Sequence, residues 1–129
     1  MITIDTTCVS QNKTILLVDD DVDLLENTSF MIISMGYDII AAQDGEEAVK
    51  LYKEAKPGLT IMDIKMPKID GYEAFNRIKQ YDNDAKVILI SAYYIDEEKH
   101  QKAKSTGLLT TISKPYTFEM LEEIIKKYT

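Results

Sequence analysis

Short apolar runs alternate with amphipathic stretches along the whole chain. The runs predict strands over 15–18, 37–42, 59–62, 86–90 and 108–112. Helical periodicity predicts helices over 22–35, from a cap at Asp44 to position 56, over 72–81, in a polar stretch ending at 106, and over 118–128. Gly36, Pro57-Gly58 and Gly107 punctuate the pattern where helices must stop, and Asp70-Gly71 turns into the third helix. The strands are apolar without alternation, as expected when both faces are buried. Strand and helix in strict alternation imply an α/β sandwich around a parallel sheet. Residues 1–13 are polar and Thr-rich and read as a flexible tail; 14–129 read as one domain.

Chemistry collects at the ends of these strands. Asp19 and Asp20 follow Ile-Leu-Leu-Val, Asp63 follows Leu-Thr-Ile-Met, Ser91 follows Val-Ile-Leu-Ile, and Lys114 follows Thr-Ile-Ser. Parallel strands bring these ends to one edge of the sheet, where ligands bind in open α/β folds, near the switch point of the strand order. One capping acid would explain a single Asp before the first helix, and Asp21 is the best candidate for it. Three adjacent carboxylates repel one another unless a cation compensates, and magnesium takes one or two carboxylates while keeping several waters. Asp63 taken alone reads as an ordinary loop acid; with the acid pair beside it, it can be a ligand, a nucleophile or both. Lys114 precedes Pro115, and an X-Pro bond can be cis at modest cost, so Lys114 can be aimed at Asp63 and at a phosphoryl oxygen. Ser91 supplies a hydroxyl able to donate to the same group.

Composition narrows the classes. The chain of 129 residues carries a formal net charge of -7, which opposes nucleic acid and anionic membrane surfaces as partners. No apolar stretch is long enough to span a membrane, no secretory leader is visible, and the single Cys8 has no internal partner. A reducing cytoplasm is the expected compartment.

Several alternatives fail on particular residues. Asp19-x-Asp21-x-Asp23 imitates the start of a calcium-binding loop, but Leu24 stands at the glycine position and Phe30 at the final glutamate. Phosphatases with a strand-end Asp nucleophile need a second acid two residues on, where this chain has Lys65. The lone His100 lies in a polar helix, reads as a solvated surface residue, and is poorly placed for a triad with Ser91. No Gly-rich phosphate loop is present, so nucleotide binding is unsupported.

The ordered set Val-Asp19-Asp20, Met-Asp63-Ile-Lys-Met-Pro-Lys-Ile-Asp-Gly71, Ile-Ser91-Ala and Ser-Lys114-Pro115 resembles the receiver domain of two-component response regulators, over about residues 13–129. The resemblance implies a flavodoxin-like five-stranded parallel sheet of order 2-1-3-4-5 with helices on both faces. It implies that Asp63 accepts a phosphoryl group from a phosphohistidine. It implies Mg2+ (or Mn2+) held by Asp20 and Asp63, by Asp19 through water, and by the backbone carbonyl of Lys65. Ser91 and Lys114 would each bind a phosphoryl oxygen. The implied partners are a sensor histidine kinase or histidine phosphotransfer protein and a downstream effector protein. Chemistry would be confined to self-catalysed phosphorylation and slow autodephosphorylation, without enzymatic turnover.

Three positions depart from common members of that family. Thr111 occupies a place often held by an aromatic switch residue. Lys65 and Tyr93, two residues beyond the acceptor and the hydroxyl respectively, form a bulky, non-acidic pair expected to shield an acyl phosphate from water. Together the three resemble single-domain sporulation-phosphorelay receivers. In the first helix, Leu24, Thr28, Met31 and Met35 form a stripe expected to face the sheet, leaving Leu25, Phe30, Ile32 and Ile33 largely off it as a docking patch. In the family this helix and the loop at 115–117 contact the kinase's helical bundle. In the fourth helix Ile95 and Ala103 are the clearest apolar anchors, so small forces should shift it. The expectation is a receiver without an effector domain in this chain. The alternatives are the receiver part of a longer DNA-binding regulator, or a phosphorylation-independent interaction module.

Overall fold

The computed structural model describes residues 12–92 and 96–129. Five strands, β1 (Thr14–Val18), β2 (Asp38–Ala42), β3 (Leu59–Asp63), β4 (Val87–Ser91) and β5 (Thr110–Ser113), alternate with five helices. The helices are α1 (Val22–Ser34), α2 (Gly45–Ala55), α3 (Gly71–Tyr81), α4 (Glu97–Ser105) and α5 (Phe118–Tyr128). All strand pairs are parallel, in the order β2-β1-β3-β4-β5. The fold expected from the sequence is therefore the one observed. The chain leaves β1 in one direction to reach β2 and returns past it to β3, so the switch point lies between β1 and β3.

The unalternating apolar runs are buried on both faces, as their composition requires. Leu16, Val18, Met62 and Leu89 point to one side, where Tyr52 of α2 and Phe75 and Ile78 of α3 cover them. Ile15, Leu17, Ile61 and Ile90 point to the other side, under Leu25 and Ile32 of α1 and Leu121 and Ile125 of α5. Each helix starts on a side chain that accepts a backbone N–H of its first turn: Asp21, Asp44, Asp70, Asp96 and Thr117. These caps satisfy donors that a helix start otherwise leaves unpaired. Gly36, at φ +97°, ends α1 in a conformation that side-chain-bearing residues rarely adopt.

Two expectations need correction. The face of α1 turned to the sheet is Leu25, Thr28 and Ile32, with Leu24, Met31 and Met35 only half-buried along its edge. The stripe is thus rotated by about one position, and of the four residues assigned to the patch only Phe30 and Ile33 are exposed. Leu108 and Leu109 read as the start of the last strand but precede it. The Leu108 N–H bonds back to the Ala103 carbonyl, and that of Leu109 to Val87, so the pair forms the entry to β5. Ala103 is the buried anchor of α4, as expected, whereas Tyr93, Tyr94 and Ile95 lie outside the described residues. So do positions 1–11 of the tail; Asn12 and Lys13 are tied in by hydrogen bonds to Lys56 and Asp38.

Thr60, fully buried near the start of β3, has a hydroxyl with no hydrogen-bond partner among the described residues. An unpaired buried hydroxyl costs about 1–3 kcal/mol, and valine has the same shape without it. Thr60→Val should raise the melting temperature of the protein; a calorimetric scan showing a fall would contradict this reading of β3.

Candidate functional site

The carboxyl ends of β1, β3, β4 and β5 converge as the sequence pattern required. Asp19 follows β1, and its N–H donates to the Ala42 carbonyl, which extends the ladder by one bond. Its Oδ1 accepts the Asp21 N–H at 2.9 Å, and Asp21 in turn caps α1 through Leu24 N–H, the role expected for it. Asp63 ends β3 and Ser91 ends β4; Asp19, Asp63 and Ser91 are all buried, while Asp20 faces solvent. Beyond Asp63 the chain doubles back, with Gly71 N–H donating to the Ile64 carbonyl at 2.7 Å. A Cβ on Gly71 would lie 2.5 Å from the Asp63 carbonyl oxygen, so glycine is needed for α3 to begin against the site.

Lys114 lies just past β5, joined to Pro115 by a cis bond. Its N–H donates to the Ser91 carbonyl at 2.8 Å. Its ammonium reaches two carboxylates at once, 3.2 Å from Asp19 Oδ2 and 3.2 Å from Asp63 Oδ2. The sequence pointed to the pairing with Asp63, and the contact with Asp19 adds to it. Burial, and then the neighbouring Asp19 charge, push the Asp63 carboxyl above the ordinary Asp range, with Lys114 partly opposing them. Burial alone would lower the Lys114 pKa, but the charges of Asp63 and Asp19 outweigh it and raise the value.

One carboxylate oxygen from each of Asp19, Asp20 and Asp63 lies within 4.8 Å of the others. Three carboxylates against one ammonium leave negative charge in excess, two of the three acids being buried. The donors are all oxygen, with no His or Cys among them, which suits a hard divalent ion such as magnesium or manganese. The exposed Asp20 leaves that side of the cluster open to solvent.

The remaining sequence candidates spread around this centre. Lys65 is exposed and, with Ser91, Met66 and Tyr72, borders a cavity of about 320 Å³. Thr111 is half-buried in β5, in register with Leu89. Tyr93 lies outside the described residues. His100 is half-buried rather than solvated, its ring edge-on to Tyr72 at 6.5 Å between centroids, and it takes no part in the carboxylate cluster. The contact that sequence reasoning missed is Thr28 with Tyr116, whose hydroxyls share a hydrogen bond of 2.8 Å. A threonine on the buried stripe of an apolar helix was the available signal, because such a hydroxyl calls for a partner.

The chain is similar to known proteins in sequence and in fold. The sequence model of the response regulator receiver domain matches residues 15–126. The chain is 31% identical over 117 residues to sporulation initiation phosphotransferase F of Bacillus subtilis, covering 91% of this chain and 94% of that protein. It is 40% identical over 105 residues to chemotaxis protein CheY of Halobacterium salinarum, covering 81% and 86% respectively. Among solved structures, response regulator protein TrrA of Thermotoga maritima, in complex with Mg2+-BeF, superposes with a TM-score of 0.81 at 33% identity, covering 91% of this chain and 99% of that one.

Proposed function

The chain belongs to the response regulator receiver domain family, and from that premise we propose that Asp63 takes a phosphoryl group from a phosphohistidine on a partner protein. The observation that supports this most is the ammonium of Lys114 held between the buried carboxylates of Asp19 and Asp63 at the open edge of the sheet. Ser91 ends β4 at the same edge, so a nucleophile and two groups able to meet phosphoryl oxygens would converge there.

In the proposed reaction an Asp63 carboxylate oxygen attacks phosphorus in line with the phosphohistidine nitrogen. The new O–P bond forms as the P–N bond breaks, and the imidazole leaves with the electron pair and takes up a proton. Asp19, Asp20, Asp63 and the Lys65 carbonyl would hold Mg2+ (or Mn2+), which when bound neutralises charge on the transferring oxygens. The Asp19–Asp20 pair orients the cluster. Lys114 exchanges part of its contact with Asp63 for a phosphoryl oxygen, and Ser91 donates to another. Such groups act through positioning and electrostatics, as phosphoryl transfer through a loose transition state requires. Lys65 stands two residues after Asp63, where phosphatases with a strand-end Asp nucleophile carry their second acid, which favours storing or relaying the group over turning over a substrate. A cytoplasmic location follows for a domain served by a kinase or phosphotransfer protein.

Incubation with acetyl phosphate and magnesium should add one phosphoryl group to the intact protein by mass spectrometry, and none when the metal is chelated. Uptake that ignores the metal would refute the role given to the carboxylate cluster.

Lys65, exposed two residues beyond Asp63 and bordering the same cavity as Ser91, would limit access of hydrolytic water to the acyl phosphate, the task the sequence also assigns to Tyr93. Lys65→Ala should shorten the acyl-phosphate lifetime several-fold, measured by decay of the phosphorylated mass after donor removal. An unchanged decay rate would remove the shielding argument.

A further inference from the structure

The loop between β5 and α5 carries Lys114 and is fixed at two points. At its start the Lys114 N–H donates to the Ser91 carbonyl. Two residues on, the Tyr116 hydroxyl shares its 2.8 Å hydrogen bond with Thr28 Oγ1. Thr28 is 1% exposed, on the face of α1 between Leu25 and Ile32. A hydroxyl there costs stability unless it is paired, and valine would fill the space equally well. Its presence therefore makes sense through its partner. Tyr116 packs on the core beneath α1 and α5, and burial pushes its phenol pKa up, which keeps it protonated and able to hydrogen-bond.

The contact joins two parts of the site that the chain itself does not join closely. Asp19 and Asp20 run directly into α1, whose cap Asp21 donates its N–H to Asp19. Lys114 lies across the sheet from them, on a loop held there by one backbone bond. Tyr116, with only Pro115 between it and Lys114, ties that loop to the helix the acid pair leads into. We propose that the Thr28–Tyr116 hydrogen bond is a positioning latch that sets the Lys114 ammonium against Asp19 and Asp63 and thereby sets the rate of phosphoryl uptake. The inference rests on Asp63 being the acceptor. Lysine is a flexible point charge with much rotamer freedom, so anchoring its backbone on both sides limits where the ammonium can go. Loss of one anchor weakens the Lys114 contact made in the transition state and leaves the carboxylate cluster unchanged.

The test uses Thr28→Val, Thr28→Ser, Tyr116→Phe and the Thr28→Val/Tyr116→Phe double variant, phosphorylated with acetyl phosphate across a magnesium series. Thr28→Val and Tyr116→Phe should each lower the maximal rate by roughly tenfold, less than the hundredfold that an ångström of misplacement can cost. The magnesium concentration giving half-maximal rate and the final stoichiometry should stay at wild-type values, which partial unfolding would not allow. Thr28→Ser should recover most of the rate, and the double variant should be no slower than either single. Wild-type rates in Thr28→Val and Tyr116→Phe, or effects that multiply in the double variant, would overturn the latch. In metal-free protein, 15N relaxation of the Lys114 side chain should show lower order in Thr28→Val than in wild type; equal order overturns the latch whatever the kinetics. Failure of the wild type to take up phosphate counts instead against the acceptor role of Asp63, and the relaxation result then decides the latch alone.

Discussion

Lys114→Met should slow phosphoryl uptake at Asp63 by about 100- to 1000-fold, the usual cost of removing one donor that meets charge developing in the transition state. Methionine keeps much of the stem and removes the ammonium. The same change leaves Asp19 and Asp63, with side chains only 3% and 6% exposed, facing each other without a cation. Removing one partner of a fully buried ion pair costs about 3–5 kcal/mol; because the Lys114 side chain retains 20% exposure, a loss nearer 2–3 kcal/mol is expected in metal-free protein. The pH dependence has a definite sign. The Asp63 carboxyl already titrates above its ordinary value, and loss of Lys114 raises it further. A carboxyl raised in the folded state costs nothing while it is protonated in both states, and lowers stability as pH rises from its unfolded to its folded value. The deficit of Lys114→Met should therefore be small in acid, where the Asp63 carboxyl is protonated, and full at neutral pH. Magnesium should recover much of the lost stability, because a bound cation does what the ammonium did. Denaturant melts from acid to neutral pH, with and without magnesium, check each part; a deficit largest in acid would contradict the assigned charges.

Asp63→Asn should abolish uptake altogether while leaving the protein folded. An amide cannot serve as the nucleophile, and no other buried carboxylate in the cluster meets both Lys114 and the end of β3. Its stability should move opposite to its activity. Burial and the Asp19 charge both disfavour an ionised Asp63, so at neutral pH the metal-free variant should be as stable as wild type or more so. Magnesium, by contrast, should raise the melting temperature of wild type and raise that of Asp63→Asn much less, since a ligand stabilises in proportion to its affinity for the folded state. Thermal melts across a magnesium series read both effects. An equal magnesium response in the two proteins would remove Asp63 from the metal site.

Much of this was legible in the chain because strands buried on both faces leave an unambiguous mark. Ile-Leu-Leu-Val and Val-Ile-Leu-Ile can be little else, and the first polar residue after each run falls at the site edge. The placing of Asp19, Asp63 and Ser91 at one edge followed from those runs, whereas Lys114 follows the more polar Thr-Thr-Ile-Ser and was aimed at Asp63 on the strength of the Pro115 after it. The orientation of α1 did not, because Leu24, Leu25, Phe30, Met31, Ile32 and Ile33 put apolar residues on every face. Periodicity cannot choose among them, and packing against the sheet does, in favour of Leu25 and Ile32. The start of β5 was obscured for a similar reason: Leu108 is as apolar as a strand residue but turns its N–H back to Ala103 in α4, and Leu109 makes only the first bond toward β4, at Val87. The second carboxylate contact of Lys114 and the pairing of Thr28 with Tyr116 depend on distances between elements far apart in sequence, which no local pattern encodes.

Reductive trapping bears most directly on Asp63 as the acceptor. Borohydride converts an acyl phosphate of aspartate to homoserine, which tandem mass spectrometry locates in the peptide. After treatment with acetyl phosphate and magnesium, homoserine should appear at position 63 alone, and it should disappear when magnesium is chelated. Homoserine at position 19 or 20, or none in protein that has gained a phosphoryl mass, would contradict the assignment of Asp63.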